Sequence, residues 1–198
     1  MTSVPNRPRR SNGSNAIKTI LLMRHAKAAA EEPHESDFQR CLTEGGIRTT
    51  CETAATLLSH GIRIDRIISS AAERTRQTAD LIAAGMQLTA ARMDLDELYL
   101  APAKKFERAI CDYSLEDESS VFVVGHNPGI AGLICDWADQ SLSVPTATVA
   151  VFESSADTWH DVRRTKVHIP KLVCLLQHGK VAWPHDQTTS DPELPEKS

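Results

Sequence analysis

No stretch of the 198-residue sequence comes near the ~18 successive apolar residues that a membrane-spanning helix needs, so no membrane partner is expected. Nor is there a basic excess. Against 22 Lys and Arg stand 26 Asp and Glu, a formal net charge of -4, whereas a nucleic-acid surface ordinarily declares itself as clustered positive charge. Cysteines are few, odd in number and scattered (Cys41, Cys51, Cys111, Cys135, Cys174), never spaced CxxC. They make neither a disulfide framework nor a zinc site, and read as idle or buried thiols in a reducing, cytoplasmic setting. The sequence also lacks HExxH, paired aspartates and any Cys/His ligand spacing, so neither a metal nor another cofactor is expected. Internal repeats are missing too.

What is present suits one folded domain. Hydrophobic residues make up 41% and charged residues 24% of the chain, enough for a sizeable core. Residues 1–16, polar and rich in Pro, Asn and Ser, read as a disordered tail, 17–177 as the domain, and 178–198, with Pro184, Pro192 and Pro195, as an irregular tail. Arg9 and Arg10 suggest a twin-arginine signal, but the AIKTILLMRH that follows is charged early and again at its end, a poor signal core.

Periodicity divides the domain into alternating elements. Ile17–Met23 is a short apolar run and reads as a buried strand, followed by a polar loop, Ala26–Leu42, that carries Pro33. From Thr43 to about Ser59 a helix is expected with Ile47, Cys51, Ala54, Ala55 and Leu58 inward, Thr43 capping it and Gly61 just past its end. Arg66–Ser70 is a strand, and Glu73–Ala84 a helix with Ala79, Ile82 and Ala83 on one side. Met93–Leu98 reads as a third strand, Ala103–Tyr113 as a helix and Ser120–Val124 as a buried strand. A helix over Ile130–Trp137 follows, then strands at Thr148–Phe152 and Leu172–Gln177. The alternation implies an α/β domain with a largely parallel sheet, its late strands adding antiparallel edges.

In an open α/β sheet, ligands bind beyond the carboxyl ends of the strands. Three strands here end in reactive or anion-binding residues. The first runs into Arg24 and His25. The second ends in Ser69-Ser70 and enters a helix with Arg74 in its first turn. The fourth ends in Gly125-His126-Asn127-Pro128. A single histidine after a strand is ordinarily a loop residue; four such groups at one sheet edge point to a shared crevice. In the GHNPG turn, Gly125 permits close backbone approach, Asn127 suits the N-cap and Pro128 the first helical position. The helix end that follows offers unpaired N–H groups to an anion.

Five motifs then occur in order over residues 20–130: LLMRHAKA (Leu21–Ala28), Asp37-x-x-Arg40-x-Leu42-Thr43-x-x-Gly46, SSAAERTRQTA (Ser69–Ala79), Glu97-Leu98-Tyr99 and VVGHNPGI (Val123–Ile130), with Thr146-Ala147-Thr148 extending them. Together they resemble the histidine phosphatase superfamily, related to phosphoglycerate mutase, and within it the small SixA-type phosphohistidine phosphatases. Cys41 and Ala71 depart from that pattern at turn positions where proline is usual. The resemblance implies a three-layer α/β sandwich of the phosphoglycerate mutase kind, with helices on both faces of the sheet. It implies that His25 is the nucleophile that becomes phosphorylated, that Arg24 and Arg74 hold the phosphoryl oxygens, and that His126, with Asn127 beside it, completes the phosphate pocket. In the wider superfamily a carboxylate after the third strand protonates the leaving group; the candidate here is Glu97, with Asp94 and Asp96 nearby.

Physical chemistry agrees with these roles. Charge on a phosphoryl group in transfer spreads over three oxygens, which fixed guanidinium forks stabilise better than lysines do. The attacking imidazole must be neutral, a state that neighbouring arginines favour, so activity should fall below pH ~6. Asp37 and Arg40 are expected to order the loop rather than touch substrate, and Lys27 to be a rim charge. His34, His60, His160, His168, His178 and His185 carry no expected role. The expected activity is a metal-independent phosphatase acting on a phosphorylated protein, above all on phosphohistidine, whose labile leaving group tolerates a missing acid. A phosphomonoesterase or mutase acting on a small phosphorylated metabolite stays open, as does a non-catalytic phosphate- or phosphoprotein-binding module.

Overall fold

The first strand, β1 (Lys18–Arg24), is buried on both faces, as expected of a strand inside a parallel sheet with helices above and below. A computed structural model of the chain describes residues 17–183 apart from 32, 33, 35, 164 and 166–168. The expected tail at 1–16, Pro33, His168, His185 and the three prolines beyond 183 therefore lie outside the described residues. After β1 come α1 (Glu44–Ser59), β2 (Arg66–Ser70), α2 (Glu73–Gly85), β3 (Ala91–Leu95), α3 (Ala103–Tyr113), β4 (Ser120–Gly125) and α4 (Gly129–Ala138). Three strands close the order: β5 (Val149–Ser154), β6 (Lys171–Gln177) and β7 (Lys180–Trp183). They form one sheet in the order β3-β2-β4-β1-β5-β6-β7. The first four are mutually parallel; β5, β6 and β7 are antiparallel to their neighbours.

Alternate residues of the central strands feed two cores. Ile20, Leu22, Val121 and Val123 pack with Phe106, Ile110, Ile130 and Leu133, beneath α3 and α4. Leu21, Met23, Phe122 and Val124 pack with Leu57 and Ile82, beneath α1 and α2. The result is a three-layer α/β sandwich with a largely parallel centre, as the sequence resemblance implies.

Four details differ from the sequence reading. The buried face of α1 is Gly46, Thr50, Thr53, Ala54 and Leu57, while Ile47 and Leu58 are exposed. The stripe is turned because threonines line the inner face, with Thr50 and Thr53 donating their hydroxyls to the carbonyls of Gly46 and Thr49 at 2.8 Å each. The third strand ends at Leu95, where its partner β2 ends, and Asp96–Leu98 coils into a 3-10 turn. Helix α4 begins one residue early, at Gly129, with Pro128 at the cap, so Asn127 is not the cap. Finally, the sheet continues past residue 177. His178 and Gly179, both at positive φ, turn the chain into β7, a strand inside the segment read as irregular tail.

Candidate active site

The carboxyl end of β1 is held from three sides. His25 N–H donates to the Gly125 carbonyl at 3.0 Å, tying it to β4, and Ala147 N–H donates to the carbonyls of both Arg24 and His25 at 3.1 Å. Ala26 N–H donates to Thr78 Oγ1 on α2 at 3.1 Å. The loop beyond folds back so that Thr43 N–H donates to the Lys27 carbonyl at 2.9 Å. A side chain at Gly46 would collide with that same carbonyl, which explains the glycine three residues after the cap.

On this frame two imidazoles face each other. His25 and His126 have ring centroids 5.1 Å apart, and they are 9% and 1% exposed. Nδ1 of His25 lies 2.7 Å from the Ala26 carbonyl. A carbonyl only accepts, so Nδ1 carries the proton and Nε2 keeps a bare lone pair. Burial, opposed by that hydrogen bond and helped by Arg74, Arg24 and Arg40, lowers the His25 pKa to about 4. Burial, then the neighbouring His25 and Arg74, lower that of His126 to about 3. Both rings are therefore neutral near pH 7. Nε2 of His126 is 2.9 Å from Ser70 Oγ at the end of β2. In the tautomer where Ser70 donates, the proton sits on Nδ1, a buried atom with no partner among the described residues.

The arginines flank this pair differently. Arg24 donates from Nη1 to the Val144 carbonyl at 2.9 Å, while its Nε is buried without a partner. Burial lowers its pKa, though guanidinium stays cationic throughout the working range. Arg74, only 3% exposed, donates to the Asp37 main-chain carbonyl and, at 2.8 Å, to Asp37 Oδ2. Its guanidinium lies 5.8 Å from the Tyr99 ring centre. Asn127 donates to the Val144 carbonyl that Arg24 also uses, at 3.1 Å, and its Oδ1 is unpaired. The first free amides expected at α4 are partly taken, since Ile130 N–H donates to the His126 carbonyl at 2.9 Å. Among the described residues no group of three or more His, Cys, Asp or Glu could hold a metal ion.

The structure thus brings His25, His126, Arg24, Arg74 and Asn127 to one sheet edge. Glu97 is not joined to them: it is exposed, in the 3-10 turn after β3, and accepts a 3.4 Å bond from Tyr113 at the end of α3. Sequence reasoning gave Ser70 and Tyr99 no role of their own, and treated Asp37 as a loop organiser. Asp37 is instead the carboxylate among the arginines, also accepting from Arg40 at 2.6 Å and from Tyr99 Oη at 2.5 Å. The Tyr99 hydroxyl first, then Arg74 and Arg40, hold its pKa down at about 2, against burial. The sequence carried no local signal for this pairing, since Asp37 lies 37 residues before Arg74 and 62 before Tyr99. Ala71, at the position where proline is usual, donates its N–H to the Leu95 carbonyl at 3.2 Å, a bond proline cannot make.

Comparison with known proteins bears on the fold. A family model described as the histidine phosphatase superfamily (branch 1) matches residues 20–102. Two solved structures assigned as the phosphohistidine phosphatase SixA are similar. The one from Agrobacterium tumefaciens is 27% identical, covers 81% of this chain and 97% of its own, and has a TM-score of 0.69. The one from Nakamurella multipartitia is 26% identical, covers 81% and 96%, and has a TM-score of 0.68. An uncharacterized chloroplastic protein of Arabidopsis thaliana is 23% identical over 159 residues, which are 76% of this chain and 73% of that one.

Proposed function

We propose that this chain, similar to the histidine phosphatase superfamily, is a phosphatase that hydrolyses phosphohistidine on a protein, without a metal, through a phosphorylated His25. One observation carries this reading: a buried, neutral His25 whose Nδ1 is committed to a carbonyl, leaving the Nε2 lone pair free beside the buried Arg74 and the half-buried Arg24. Nε2 attacks phosphorus in line and forms an N–P bond as the bond to the leaving group breaks. Arg24 Nε, Arg74 and the His126 Nδ1–H are the donors available to the three equatorial oxygens, with Asn127 at the margin. Water then cleaves the new N–P bond, releasing phosphate and restoring His25.

The substrate class follows from the acids at hand. Asp37, near pKa 2, is ionised at any working pH, and Glu97 is bonded to Tyr113. A phosphomonoester, whose alkoxide leaving group needs a proton, is poorly served. The imidazole of phosphohistidine leaves readily. A groove of about 460 Å³, lined by Phe38, Gln39 and Cys41 on the loop that carries Asp37 and by Ala71, Glu73 and Arg76, has room for a side chain or short loop of the protein that carries the phosphoryl group. We take the functional unit to be residues 17–183, acting in the cytoplasm on a phosphorylated protein partner.

The test is rapid quenching with a labelled phosphohistidine protein, run in EDTA. An acid-labile phosphoenzyme should appear within the first turnover and be absent from His25→Ala. Turnover without that intermediate, or faster turnover of sugar phosphates than of phosphohistidine, would overturn the proposal.

A further inference from the structure

Arg74 lies in the first turn of α2, whose N-cap, Ala72, makes no side-chain cap bond. What orients its guanidinium is Asp37: the main-chain carbonyl and carboxylate of this one residue take a hydrogen from each terminal nitrogen. Asp37 leaves Nε and one hydrogen on each terminal nitrogen, to be shared between the Tyr99 hydroxyl and an oxyanion. The same carboxylate accepts from the Tyr99 hydroxyl at 2.5 Å and from Arg40 at 2.6 Å. Tyr99 in turn stands edge-on to His126, with ring centroids 5.5 Å apart, and edge-on to Phe38 at 5.0 Å. One carboxylate is therefore bonded to an arginine on one wall of the site and, through a phenol, to the ring that packs on the imidazole of the other.

The geometry points to Asp37 and Tyr99 as a positioning pair, which aims Arg74 and braces His126 for the five-coordinate phosphorus rather than for the bound ground-state anion. Asp37 itself is a poor ligand for phosphate, because a carboxylate beside a dianion repels it. Its presence within reach of the phosphoryl pocket costs ground-state affinity, and that cost is explained if the residue serves the transition state instead. Arg40 and Arg74 neutralise it, so the repulsion is partial. The inference rests on the phosphatase reading for where the anion sits.

Two oxyanions separate the roles. Orthovanadate becomes five-coordinate on a histidine nitrogen and imitates transfer, whereas inorganic phosphate stays tetrahedral. In isothermal titration, Asp37→Asn should weaken vanadate binding about tenfold while phosphate binds as tightly as before or more tightly. On phosphohistidine protein the same variant should lower kcat without raising KM. Tyr99→Phe keeps the ring against Phe38 and His126 and loses only the hydroxyl. It should move vanadate in the same direction by less, and add nothing in the Asp37→Asn background; if Asp37→Asn does not fold, Tyr99→Phe decides alone. A change that is equal for the two anions, or a ratio within twofold of wild type, would make Asp37 merely structural and overturn the inference. If the wild-type protein turned over no phosphohistidine, the functional reading would fall, and the equilibrium ratio of the two anions would still decide the role of Asp37.

Discussion

The two ends of the sheet both carry charged and polar groups and treat them in opposite ways. At the amino end, Arg66 is 8% exposed and donates from Nε to Glu118 at 2.7 Å, while that carboxylate also accepts from Leu115 N–H at 2.8 Å. Beside it Asp65 accepts at 2.9 Å from Ser119 N–H, Ser120 N–H and Ser120 Oγ. At the carboxyl end, Arg24 Nε, His126 Nδ1, Asn127 Oδ1 and Thr148 Oγ1 are buried with no partner among the described residues, against Ser114 Oγ near the amino end. A buried polar atom left unpaired costs about 1–3 kcal/mol, so four at one edge favour a polar group bound there during work. The closed network reads as structural; in the proposed function the two nitrogens of the open one, Arg24 Nε and His126 Nδ1, serve the phosphoryl anion.

The comparison breaks first at the nucleophile. His25→Ala should lower turnover at least ~1000-fold, as loss of a covalent catalyst does, with the urea midpoint unchanged or raised, because a desolvated imidazole goes with it. Residual turnover within tenfold of wild type would mean that another group attacks.

At the other end the effects should be reversed. Glu118→Ala strands the Arg66 charge and should cost about 3 kcal/mol in urea unfolding, with kcat per folded molecule within twofold. A large loss of kcat would show that the two ends are coupled and the distinction false.

Protonation sharpens the same contrast. His25 is held at about 4 and His126 at about 3, against an ordinary 6.5. Rate should therefore stay level below pH 6 and fall only near 4, lower than the sequence alone suggested. The unfolded chain takes up these protons at ~6.5. The penalty that the buried His25 places on the folded state is thus absent above 6.5, grows as pH falls, and is complete by about 4. Its size is on the order of 3 kcal/mol. Unfolding curves between pH 4 and 7 should show this slope, and His25→Ala should flatten it; an equal slope in both proteins would mean the ring is not desolvated.

The same split governs what sequence could reveal. Layers and the succession of strands and helices along the chain follow from apolar runs, because burial on both faces leaves so few polar positions that a strand such as Ser120–Gly125 is unmistakable. The strand-end histidines and arginines are legible for the related reason that parallel sheets place their sites at one edge. Pairing is not legible. Asp37 lies 37 residues before Arg74 and 62 before Tyr99, and no local pattern says that a loop of that length will deliver a carboxylate to both. Nor does periodicity see a helix face lined with threonine, since Thr50 and Thr53 satisfy their hydroxyls inside α1 and pack as apolar residues would. β7 was hidden because its strand is four residues long and its outermost position needs no apolar pattern on the open side.

Thr43 sits between the two regimes, and the smallest expected effect tests whether they are separable. Its Oγ1 accepts from Gly46 N–H at 3.0 Å, capping α1, and donates to the Lys27 carbonyl at 3.1 Å, two residues from the nucleophile. Thr43→Ala removes one cap bond and should cost about 1 kcal/mol of stability; Thr43→Ser should restore it. If the cap is only structural, kcat in Thr43→Ala stays within about threefold of wild type, because the His25 backbone is held independently by Gly125 and Ala147. A tenfold fall in kcat with only 1 kcal/mol lost would mean that the helix, through Lys27, sets the aim of the imidazole. The boundary between the closed and open networks would then run through α1 rather than across the sheet.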